Sequence, residues 1–169
     1  MAGIAHELIN VLTQQKECYE GLYTLATYKS RAVVEKDIDF LKEVVNREEE
    51  FIGRVNILDK KREEAFKDIS QVTGLKLEEL TLTQIIDKIG KNHEMGKELT
   101  NIRKDLLKIM EKVKNQNNRN KKLIMQSMEF VEFTLNAIQT TRLTGIEVGY
   151  SRTGYENTQD TRRVFDARR

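Results

Sequence analysis

Proline and tryptophan are absent from the 169 residues, cysteine occurs once, histidine twice and glycine nine times. A chain this long without proline is short of the turn chemistry that a sandwich or barrel of many short strands uses, so an all-β fold is not expected. The single thiol, Cys18, makes no internal disulfide, which fits a reducing compartment. No run approaches the ~18 apolar residues of a membrane span. The stretch from Met1 to Leu12 has no basic n-region, and Glu7 and Asn10 interrupt its apolar residues, so it does not read as a secretory signal. Excess charge of one sign is also missing. Twenty-nine Lys and Arg oppose 27 Asp and Glu, a net charge of +2, so there is neither a bulk basic signal for nucleic acid nor an acidic one for solvating disorder.

What is present is helix-forming: charged residues make up 33 % of the chain, with abundant Leu, Ile, Glu, Lys and Gln. Apolar residues Ile4, Ala5, Leu8, Val11, Leu12, Cys18, Tyr19, Leu22, Leu25, Ala26 and Val33 recur at spacings of three and four, predicting one helix from about Ala2 to Glu35. Asp37 or Asp39 is placed to cap the next helix, from about Ile38 to Val72. Its seam reads Ile38, Leu41, Val45, Glu48, Ile52, Val55, Asp59, Arg62, Phe66 and Ile69, the pattern of a coiled-coil hairpin partner. Thr73 and Gly74 close it. A short helix is expected at Leu82–Ile89, capped by Thr81 and ended by Gly90.

The longest segment runs from about His93 to Val148, with Leu99, Ile102, Leu106, Ile109, Val113, Gln116, Asn120, Leu123, Ser127, Phe130, Thr134, Ala137 and Thr141 in three-four alternation. Such a helix is roughly 80 Å long. Asn115, Gln116, Asn117, Asn118 and Asn120 read as a polar turn within it. The expected architecture is all-α, an elongated antiparallel hairpin or bundle of three long helices plus a short one with coiled-coil-like packing. Residues 1–149 form one helical domain, and 150–169, where periodicity ends, form a tail.

No catalytic constellation emerges, and no enzyme is expected. His6 and His93 are far apart, and His93 with Glu94 is too small a donor set for zinc. Cys18 lies on an apolar helix face beside Glu17, whose charge raises a thiol pKa. No glycine-rich phosphate loop follows a strand. Acidic residues alternate with Lys and Arg at three and four residues, as on a solvated face.

One stretch departs from this pattern. At 100° per residue, Leu123, Ile124, Met128, Phe130, Val131, Phe133, Leu135, Ala137 and Ile138 spread over roughly 220° of the helix circumference, with Met125 outside that arc. Glu129, Glu132, Asn136 and Gln139 hold the polar side. A helix in a simple hairpin needs about a 100° stripe, so apolar surface is left over. A third helix or another subunit covers it, or it is a docking surface for a partner's apolar helix. Met125 and Met128 suit either case.

Three long helices, the break at Asp37 and Asp39, the Asn-rich stretch leading into Leu123–Ile124 and the apolar block are followed by Tyr150, Ser151, Arg152, Thr153 and Gly154, a Tyr-x-x-x-Gly step, and by Val164, Phe165, Asp166 and Ala167. In this order they resemble the FlgN family of flagellar type III export chaperones, in its Gram-positive-type long form. The resemblance implies a cytoplasmic, helical, non-enzymatic protein without cofactor or metal. It implies binding of hook–filament junction proteins, protection of them from aggregation or early assembly, and delivery to the flagellar export apparatus. The cargo-holding part of the family's last helix maps onto Leu123, Ile124, Met128, Phe130, Val131, Phe133, Leu135 and Ile138. A family tyrosine that contacts the export gate maps onto Tyr150, with Tyr155 five residues on. Direct membrane insertion is not expected.

Two other classes use the same residues differently. A structural coiled-coil adaptor or homo-oligomer without secretion cargo would occupy the seams permanently. A nucleic-acid or membrane-surface binder would use Lys112, Lys114, Arg119, Lys121 and Lys122 with Arg162, Arg163, Arg168 and Arg169. Against the latter, Glu98, Asp105 and Glu111 interleave upstream and no aromatic platform accompanies the cations.

Overall fold

The computed structural model describes residues 2–143, and the expected 150–169 tail lies outside them. Four α-helices follow one another: α1 (Ala2–Glu35), α2 (Ile38–Thr73), α3 (Leu82–Ile89) and α4 (Glu94–Leu143), with one 3-10 turn at Leu77–Glu79 between α2 and α3. The chain divides into two compact units, Met1–Ile124 and Met125–Arg169.

The helix ends follow from local chemistry. Lys36 takes a left-handed conformation (φ 58°), so that its N–H donates to Val33 O and that of Asp37 to Ala32 O, a Schellman closure of α1. Asp37 then caps α2, its Oδ1 accepting from the Phe40 N–H at 2.9 Å. Gly74 ends α2 at φ 72°, a conformation that a side chain resists. Thr81 and Gln84 satisfy each other's backbone amides in a capping box that starts α3. At eight residues α3 is too short to stand alone, and its buried Ile85 and Ile86 fix it by tertiary packing.

Within the first unit, α1 and α2 pack antiparallel. Gln15 Nε2 donates to Asp59 Oδ1 at 2.7 Å, the Phe51 ring lies against Gly21, and Lys29 pairs with Glu48. A Cβ on Gly21 would stand 2.5 Å from the Phe51 ring, so this mid-helix glycine exchanges helix propensity for close approach. Arg54 covers the outer side of that ring at 5.3 Å. The α4 contacts advance in step with α1, so these two run parallel: Lys16 Nζ meets Asp105 Oδ2 at 3.1 Å, Lys112 lies over the Tyr23 ring at 5.8 Å, and Asn120 Nδ2 donates to Ala26 O at 2.7 Å. One apolar cluster joins Leu8, Ile69, Ile85, Ile86 and Leu99, and a second joins Val11, Cys18, Val55 and Leu58.

Two expectations need correction. The seam of α2 is Val44, Glu48, Phe51, Val55, Leu58, Arg62, Ala65 and Ile69, all buried or half-buried, whereas Ile38, Val45 and Ile52 are exposed. The apolar doublets Val44–Val45 and Phe51–Ile52 allow two stripes about 100° apart. Seating Phe51 on Gly21 selects one of them. The Asn/Gln-rich stretch is not a turn either. α4 runs through it unbroken, and Asn120 is buried because its amide has partners on α1.

Candidate functional site

The inner seam of α4 is covered through the first unit. Leu99 and Leu106 are buried, while Ile102, Ile109 and Val113 are half-buried. The seam ends on a polar layer. Gln116 Nε2 donates to Ser30 Oγ at 2.7 Å and to Asn120 Oδ1 at 3.2 Å, and Ser30 donates to the same Oδ1. Each amide and hydroxyl is satisfied, as burial of polar groups demands. Leu123, half-buried, is the last seam residue of this unit, and Ile124 beside it is half-buried as well.

From residue 125 onward the periodicity persists while the environment changes. Met128, Phe130, Val131, Phe133, Leu135 and Ile138 are all exposed, from 47 % at Ile138 to 70 % at Phe133. Six of the eight predicted cargo-holding residues therefore lie on an open helix surface, and Leu123 and Ile124 do not. Ser127 and Ala137, predicted for the inner seam, are exposed as well, and Thr134 is half-buried.

The exposed arc resolves into two stripes. Ile124, Met128, Val131, Leu135 and Ile138 recur at spacings of four and three. Phe130, Thr134 and Ala137 continue the inner seam about 100° away, with Phe133 at its outer edge. The Thr134, Thr140 and Thr141 hydroxyls donate to the carbonyls of Phe130, Asn136 and Ala137 one turn back, each at 2.8 Å. Their protons are thereby spent on the helix itself, which leaves the face drier than its composition suggests. Two adjacent heptad stripes are what a helix presents when it packs between two neighbours.

The chemistry-bearing residues sit elsewhere. Cys18 is buried against Val11, Val55 and Leu58, and burial pushes its thiol pKa up, with Glu17 adding and Arg54 opposing. His93 is exposed at the start of α4, where its Nδ1 accepts from the Met95 N–H. Among the described residues no group of three or more His, Cys, Asp or Glu is arranged to hold a metal ion, and no helix is long and apolar enough to cross a membrane. Tyr150 and Tyr155 lie outside the described residues. Reading the sequence missed the polar layer, although a buried polar step inside an apolar heptad was visible at Gln116 and Asn120.

The family model described as FlgN protein matches residues 1–158. No curated protein and no solved structure matches the chain.

Proposed function

Since the chain belongs to the FlgN family of flagellar export chaperones, we propose that it holds hook–filament junction proteins in the cytoplasm on the late face of α4 and delivers them to the export apparatus. The observation that carries this reading is the exposed double stripe from Met128 to Ile138. Apolar surface of this extent on a helix otherwise rich in charge marks an interaction site. Segments that stay disordered until assembly bury apolar faces when they bind, and two cargo helices, or a hairpin of them, complete a bundle on two stripes. Holding is then a matter of mass action, without nucleotide or bond chemistry.

Phe130→Asp and Val131→Asp test the holding step. Each places a carboxylate at the centre of the buried interface, and a loss of about 2 kcal/mol or more, near thirtyfold in affinity, is expected by titration against purified junction protein. Far-UV helicity and melting temperature of the free protein should not change. If both variants unfold the free protein, or bind cargo as the parent does, the face is not a cargo site. A concentration-dependent mass in which these variants alone turn monomeric would assign the face to a homo-oligomer instead. Delivery is tested separately: Tyr150→Ala should spare cargo affinity and reduce cargo secretion, and equal loss in both assays would remove that role.

A further inference from the structure

The end of the first unit built from α1, α2, α3 and the start of α4 contains a cleft of about 260 Å³. Its walls are apolar: Ile69 from α2, Ile85 and Ile89 from α3, and Met95 from α4, with Ala5 and Leu75 completing them. Ile69 and Ile85 belong to the buried cluster around Leu8 and Leu99, so the cavity is framed by the best-packed part of the unit. The exposed lining residues are Lys88 and His93, and no carboxylate lines the cleft.

Both exposed side chains are donors. Lys88 makes no salt bridge among the described residues, whereas its neighbour Lys91 is held by Asp87 at 3.0 Å. His93 Nδ1 already accepts from the Met95 N–H at 3.3 Å, which leaves Nε2 to carry the ring proton in the neutral form. The one other polar lining group, the Thr73 hydroxyl, donates to Ile69 O at 2.7 Å. An apolar cleft whose exposed lining residues are a lysine and a histidine suits a ligand with an apolar chain and an anionic acceptor head. The volume lies below the ~300–1,000 Å³ of pockets that hold drug-sized molecules, which limits the chain to a short aliphatic or single-ring body.

We propose that this cleft binds a small amphipathic monocarboxylate, its head on Lys88 and His93 and its apolar body against Ile69, Ile85 and Ile89. The site is independent of cargo holding, and none of its residues belongs to the stripes of α4.

Octanoate, octylamine and octanol, each titrated into the full chain, provide the test. Octanoate should saturate one site, with octylamine at least about tenfold weaker and octanol between them. The methyl resonances of Ile85, Ile89 and Met95 should shift with octanoate, and those of Val131 and Leu135 should not. Lys88→Glu alters an exposed residue and should retain full helicity. It should weaken octanoate by about tenfold or more and favour octylamine. Equal affinity for octanoate and octylamine, octanoate binding unchanged in Lys88→Glu, or no saturation up to ~10 mM would each overturn the proposal.

Discussion

Leu99 and Leu135 sit on one helix, each in an apolar stripe of three-four spacing, and they differ in cover: Leu99 is fully buried and Leu135 is 53 % exposed. The same contrast separates Leu106 from Phe130, both on the inner seam. Periodicity states which side of a helix is apolar and is silent on whether anything covers it. In the first unit the cover comes from α1 and α2, and the polar layer at Asn120 marks the last fully buried step of the seam. The exposed stripes are a second instance of the same design, which is why they read as a surface awaiting helices.

Leu99→Ala opens a cavity in a close-packed cluster and should destabilise the protein by ~2–5 kcal/mol in urea denaturation. Leu135→Ala, on the exposed stripe of the same helix, should change stability by no more than about 0.5 kcal/mol. Comparable losses would mean that the second stripe is covered in the free protein and that cargo docking there fails. A smaller effect is expected at the polar steps. Asn120→Ala leaves the Ala26 carbonyl, Ser30 and Gln116 short of a partner and should cost ~1–3 kcal/mol. Replacing the layer together, by Ser30→Ala, Gln116→Leu and Asn120→Leu, should recover part of that loss, because only the Ala26 carbonyl is then short of its side-chain partner. Asn136→Ala, on the exposed stretch, should raise stability by a few tenths of a kcal/mol through helix propensity, roughly the size of a single favourable exchange.

These contrasts also explain how far the sequence could be read. The helix boundaries were legible because their signals are local: Asp37 and Thr81 bond amides within their own first turn, and Gly74 supplies a left-handed stop. The seam of α2 was not, because Val44 and Val45 are equally apolar and only Phe51 settling on Gly21, thirty residues away, decides between them. Asn120 was misread for a similar reason. Asparagine favours turns when its amide bonds locally, and here the partner is on another helix. For the candidate site, the apolar arc was visible in the pattern, whereas its exposure was not, because periodicity carries no information on cover.

The smallest effect concerns alkaline pH, and it belongs to the covered region alone. Burial raises the Cys18 thiol above its ordinary 9.0 and the Tyr19 phenol above 10.0, while the hydrogen bond and charge of Asp105 raise Lys16 above 10.5. In each case the proton is held more tightly in the folded chain than in the unfolded one, so the stabilisation is complete below the unfolded value and is lost as pH rises through the folded value. Stability should therefore hold to about pH 8 and then decline in sequence, through Cys18, Tyr19 and finally Lys16. Urea midpoints measured from pH 8 to pH 11 read this out. Cys18→Ala should flatten the earliest part of the decline, whereas Lys16→Met, whose ammonium is solvent-screened, should alter only its last part and weakly. A decline that Cys18→Ala leaves unchanged would show that this thiol is not held in the packed interior between α1 and α2.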